Sequence, residues 1–100
     1  MIVNFEFFDE NPIENVITSL NYRVGKTIFF GYDSVTEDQK RTVRRFLQDV
    51  CAVKEVQFCT VSETNLDSII DQITQRVHKE QESGNQVFFD LTGGESLLLV

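Results

Sequence analysis

The sequence predicts an α/β domain: a Rossmann-like parallel sheet in the chain order β-α-β-α-β-α-β, with its strands side by side in the order 3-2-1-4. Three observations lead there. Strand-type and helix-type patterns alternate along all 100 residues, with no repeat, low-complexity run or linker. The strand segments are apolar on both faces, as strands covered by helices on two sides are. The helical segments have the length of roughly ten to fifteen residues that connects parallel strands, and such crossovers are right-handed. Four strands so joined make half of a doubly wound sheet.

Ile2 to Phe8 reads as the first strand, dense in Phe and Val. Within it Asn4 and Glu6 alternate with Val3, Phe5 and Phe7. A charge on a central strand is costly unless paired or wet. Their face is therefore expected to be open, or hydrogen-bonded across a subunit contact. Asn11-Pro12-Ile13-Glu14 opens a helix: Asn11 caps free N–H groups, Pro12 sits where a missing N–H costs nothing, and Glu14 completes a capping-box-like pair. Ile13, Val16, Ile17 and Leu20 form its apolar stripe, and Gly25 offers an exit.

Lys26 to Tyr32 is the second strand. Thr36-Glu37-Asp38-Gln39 is a second capping box, for a helix reaching about Val50 with the stripe Val43, Phe46, Leu47 and Val50. Val56 to Val61 is the third strand, and Gln57 interrupts its apolar run, as at a sheet edge. Thr64 or Asn65 caps the third helix, whose stripe is Leu66, Ile69, Ile70, Ile73 and Val77 and which ends near Gly84. Gln86 to Leu91 is the fourth strand, followed by the glycine turn Thr92-Gly93-Gly94-Glu95-Ser96. The apolar run Leu97 to Val100 is expected to begin a helix with more protein after it. Residues 1–100 are thus read as one incomplete domain, with the outer side of the fourth strand uncovered or borrowed by another copy. Phe29, Phe58 and Phe88 are expected in the core.

Composition narrows the function. A hydrophobic fraction of 41% supports one core. No run approaches the roughly 18 residues of a membrane span, and Met1 to Glu6 lacks the pattern of a secretion signal. The expectation is a cytoplasmic protein without a membrane partner. A net charge of −7 argues against holding a long nucleic acid. Lys40, Arg41, Arg44 and Arg45 cluster, but they interleave with an apolar stripe and read as a solvated helix face. Cys51 and Cys59 have no metal-type spacing and read as buried thiols; His78, the single histidine, falls on a polar face. No metal, cofactor or catalytic residue is predicted.

In this topology the loops after strands 1 and 4 diverge, leaving a crevice at the carboxyl ends of the strands. Those loops are Asp9-Glu10-Asn11 and Thr92-Gly93-Gly94-Glu95-Ser96. Paired glycines before an apolar run let backbone approach a ligand and aim free N–H groups at an anion. The local pattern equally suits a plain tight turn.

The run Phe88-Phe89-Asp90-Leu91-Thr92-Gly93-Gly94 resembles the signature of CRISPR-associated Rossmann-fold (CARF) domains. Phe8 to Val16 resembles the branch in which that domain precedes a restriction-endonuclease-like nuclease. The resemblance spans essentially the whole chain. It implies a regulatory domain that dimerises and binds cyclic oligoadenylate, an anionic second messenger of type III CRISPR antiviral defence, to control an attached nuclease. Asp9, Glu10, Asn11, Thr92, Gly93, Gly94, Glu95 and Ser96 would then line the messenger pocket. One departure is that many relatives carry Lys or Arg two residues after the second glycine, where this chain has Ser96, preceded by Glu95. A dimerisation scaffold with a decayed ligand site, and a ring nuclease that cleaves the messenger, are the alternatives.

Overall fold

The computed structural model describes residues 1–8, 23–32, 34–61, 64–90 and 96–99. These form β1 (Ile2–Phe7), β2 (Val24–Gly31), α1 (Glu37–Asp49), β3 (Glu55–Thr60), α2 (Leu66–Glu82), β4 (Gln86–Asp90) and β5 (Ser96–Leu99). The helix expected after Asn11 lies outside the described residues.

The sheet order is β3-β2-β1-β4-β5. β1 pairs in parallel with both β2 and β4, and β2 in parallel with β3. The expected 3-2-1-4 order and the edge position of β3 are therefore present. The fifth strand was not expected. Ser96 to Leu99 runs antiparallel along β4, with Leu99 opposite Val87 and Ser96 opposite Asp90. The run read as the start of a helix is thus a strand, and it covers the edge of β4 that was expected to stay open. The physical reason is tertiary: the unpaired edge of β4 offers the apolar run backbone partners.

The two helices occupy opposite faces. α2 covers Val3, Phe5, Ile28, Phe30 and Val87 through Ile69 and Val77, whereas α1 covers Val24, Phe29 and Val56 through Val43 and Leu47. Phe rings knit each layer. Phe29 stacks on Phe58 with centroids 5.1 Å apart, and Phe5 meets Phe30 edge-on at 5.7 Å. Phe29 is fully buried, while Phe58 and Phe88 are half-buried. Each ring pair adds on the order of 1 kcal/mol beyond its burial.

Helix starts follow the sequence closely. Thr36 Oγ1 accepts from the Gln39 N–H at 3.2 Å while Gln39 Oε1 accepts from the Thr36 N–H at 2.8 Å, a complete capping box. Asn65, rather than Thr64, caps α2 by accepting from the Ser68 N–H. The second strand begins at Val24, so Gly25 lies inside β2 instead of ending a helix. Both helices bury less of their apolar stripes than the spacing suggested: Phe46 on α1, Val50 at its C-cap, and Leu66 and Ile70 on α2 are exposed. Cys51 and Cys59 are free and half-buried, and burial pushes the Cys51 thiol up. No described helix is long and apolar enough to cross a membrane.

A buried ion pair ties α2 beneath the amino-terminal edge of the sheet. Lys26 Nζ donates to Glu80 Oε1 at 2.6 Å, and Asn85 Nδ2 donates to Glu80 Oε2 at 3.0 Å. Burial alone would raise the Glu80 carboxyl. The hydrogen bonds from Lys26 and Asn85 and the charges of Lys26 and Arg76 outweigh it, and hold the group below its ordinary value. A depressed carboxyl stabilises the fold above its unfolded-state value and loses that contribution as pH falls through the folded value. Lys26→Met leaves Glu80 buried without its cation and is expected to cost about 3 kcal/mol at pH 7. The gap between wild type and Glu80→Gln in urea unfolding should narrow as pH falls below about 4. A gap unchanged from pH 7 to pH 3 would show that the pair contributes nothing.

Candidate functional site

The chain steps outward from β1 to β2 to β3, then returns across the sheet to β4. β1 and β4 are consequently parallel neighbours at the place where the strand order reverses. That is the switch point at which open α/β sheets bind ligands.

Beneath this point lies a polar group built by strand alternation. Asn4 and Glu6 share the face of β1 opposite to Phe5, and Asn4 is in register with Phe88 of β4, two residues before Asp90. Asn4 Nδ2 donates to Glu6 Oε1 at 2.7 Å and to Asp90 Oδ2 at 3.2 Å. Asn4 and Glu6 are 0% and 1% exposed. Their face is therefore neither open nor bonded across a subunit contact, as the sequence had suggested. The partners come from within the chain, because the register brings Asp90 alongside. Asn4 Oδ1, and Thr27 Oγ1 next to it on β2, have no hydrogen-bond partner among the described residues. The Asn4 amide thus gives Glu6 and Asp90 a shared donor near the carboxyl ends of β1 and β4.

Aromatic side chains rise at the same end of the sheet. Phe7 packs between Phe30 and Phe89, with centroids 6.3 and 5.9 Å away, yet stays partly exposed, as does Tyr32 just beyond β2. Exposed rings of this kind suit the flat face of a base.

Of the residues predicted to line a pocket, Asp9, Glu10, Asn11, Thr92, Gly93, Gly94 and Glu95 lie outside the described residues. Ser96 is the first residue of β5, opposite Asp90. What sequence reading missed is the joining of Asn4 and Glu6 to Asp90. The available signal was two polar residues on one face of a central strand and an aspartate ending the adjacent one. His78 is exposed, and no cluster of three or more His, Cys, Asp or Glu suited to a metal occurs among the described residues.

Fold and switch point define a doubly wound, Rossmann-like α/β half-sheet closed by one antiparallel strand. No family model and no curated protein matches the sequence. Among solved structures the chain is similar to Can2 from Sulfobacillus thermosulfidooxidans in complex with cyclic tetra-adenylate, with a TM-score of 0.55 at 16% identity. The match covers 100% of this chain and 37% of that one, so the chain spans little more than a third of that protein's length. At this identity what is shared is the fold.

The polar group yields a prediction. Asn4→Leu keeps the volume but strips both carboxyl groups of their shared donor, and should cost about 3 kcal/mol. It would be read as a lowered urea midpoint at unchanged slope. Asn4→Asp sets a third carboxyl among two; it should lose more at pH 7 and regain part of the loss on acidification. A variant as stable as wild type would mean that the amide does not hold the carboxyl groups together.

Proposed function

We propose that this domain senses a cyclic oligoadenylate in CRISPR antiviral defence. The observation that carries the reading is the fold likeness, over the full chain, to a protein solved with cyclic tetra-adenylate. The run Asp90-Leu91-Thr92-Gly93-Gly94 begins at the last residue of β4, one of the two strands that flank the switch point, which supports this reading. In this reading Asp9, Glu10, Asn11 and Thr92 to Ser96 line the pocket, and backbone N–H groups after Gly93 meet the phosphates. Two copies meet across the messenger as a homodimer in the cytoplasm, and binding switches a nuclease attached to this domain.

One feature favours a second reading. Glu95 beside a phosphate opposes binding, and the chain already carries a net charge of −7. A scaffold that dimerises without a ligand would tolerate both.

Isothermal titration with cyclic tetra-adenylate separates the two. A sensor binds; Gly94→Val, which blocks close backbone approach, weakens binding at least tenfold, about 1.4 kcal/mol, with the urea midpoint nearly unchanged. Glu95→Lys tightens it. Absence of heat for wild type and Glu95→Lys alike would sink the sensor and leave the scaffold. Chromatography of the ligand afterwards reports whether it is intact or cleaved, and cleavage would make the domain a ring nuclease.

A further inference from the structure

Both helices leave part of an apolar stripe in water, beside charges that are mainly basic on α1, where Arg41 and Arg45 outnumber Asp49, and acidic on α2. Phe46 on α1 and Val50 at its C-cap are 42% and 58% exposed and border a shallow groove with Arg41, Thr42, Arg45 and Asp49. On α2, Leu66 and Ile70 are 68% and 51% exposed, next to the exposed Asp67 and Asp71. Single exposed apolar residues are ordinary, but pairs one helical turn apart form a continuous strip. The charges are unevenly placed as well. Four of the nine Lys and Arg residues fall between 40 and 45, in a chain of net charge −7. Arg41 also meets Asp38 at 3.2 Å, a pairing between two exposed groups that holds little energy and gives way to a better partner.

We propose that the α1 face of one copy of this chain docks on the α2 face of another, so that copies join head to tail. Charge complementarity selects the occupant: a strip of two arginines and one aspartate, net basic, with an apolar edge on one layer, and an acidic strip with an apolar edge on the other. The order of the strips sets the geometry. On α1 the basic pair Arg41 and Arg45 precedes the apolar pair Phe46 and Val50 by one step around the helix. On α2 the apolar pair Leu66 and Ile70 precedes the acidic pair Asp67 and Asp71. Two such helices facing each other in parallel set Arg against Asp and apolar against apolar; antiparallel packing would set Arg against apolar. Both helices run antiparallel to the strands of their own sheet, so parallel docking stacks the copies in one direction. The two faces lie on opposite sides of the sheet, and a contact between unlike faces with near-translational symmetry does not close. The product is an open chain of copies, built through the outer faces of the two helices rather than through the loops proposed to hold a ligand.

Sedimentation equilibrium of the 100-residue protein tests this. The weight-average mass should rise past that of a dimer as concentration increases at low ionic strength, and fall back in about 0.5 M salt, where screening is short-ranged. Arg41→Glu/Arg45→Glu makes both faces acidic, and Asp67→Lys/Asp71→Lys makes both basic. Each variant alone should fail to assemble, and an equimolar mixture should assemble again, because every α1–α2 junction between unlike variants is complementary. Phe46→Ser and Ile70→Ser, which alter exposed positions without touching charge, should each weaken wild-type assembly. A two-fold dimer at the switch point would instead stop at twice the monomer mass and ignore all these substitutions. Mass independent of concentration, assembly persisting in either charge-reversed variant alone, or a mixture that stays dispersed would overturn the proposal.

Discussion

Parallel pairing of β1 with strands on both of its sides is the constraint from which the architecture follows. A parallel neighbour can be reached only by a crossover, and a right-handed crossover places its connection on a face fixed by the direction of travel. Moving outward through β2 to β3 puts α1 on one face; returning to β4 puts α2 on the other. The strands must then be apolar on both sides. Val3 and Phe5 meet one layer, and Phe29 and Val56 the other. The same reversal of direction makes β1 and β4 neighbours at the switch point, so one topological fact accounts for both the two-sided core and the position of the proposed site.

That same central strand holds the least expected chemistry. Burying Asn4 and Glu6 under the switch point sacrifices hydration that an apolar pair would never have needed. The carboxyl of Asp90, supplied by the neighbouring parallel strand, joins the network through the Asn4 amide. Networks of this sort fix register: a slip of β4 by one residue would turn Asp90 to the other face and break its bond with the Asn4 amide. Two strands whose continuations are proposed to form opposite walls of a pocket are thereby locked to each other at their carboxyl ends. At the opposite edge of the sheet, the Lys26–Glu80–Asn85 cluster pins α2 in a similar manner.

The edges of the sheet are handled differently. β5 closes one side, and a hydrogen bond from Gln81 Nε2 to the Leu99 carbonyl ties that strand to α2. On β3 the protection is by side chains. Lys40 and Arg44 lie over the Phe58 ring, 5.9 and 5.1 Å from its centroid, and Gln57 bonds to Arg76 and Glu55. The basic cluster of α1 thus covers an aromatic edge on one flank while its other flank is exposed.

Alternation of apolar strands and capped helices was enough to specify the order 3-2-1-4, because parallel crossovers leave few alternatives. Thr36 and Asn65 as caps were legible for the same local reason: the side chain that bonds the first free N–H groups lies within three residues of them. Gln57 marked the β3 edge through its own polarity. Everything decided by contacts distant in sequence was not legible. Ser96 to Leu99 became a strand because β4 offered an edge, which no window of four apolar residues reveals. Asn4 and Glu6 were visible as anomalies, but Asp90 is 86 residues from Asn4, and only the sheet register made them partners. The exposed halves of the two helix stripes likewise depended on how each helix lies on the sheet. The 3.6-residue period of a helix says which residues share a side; how much of that side is buried is settled by what packs against it.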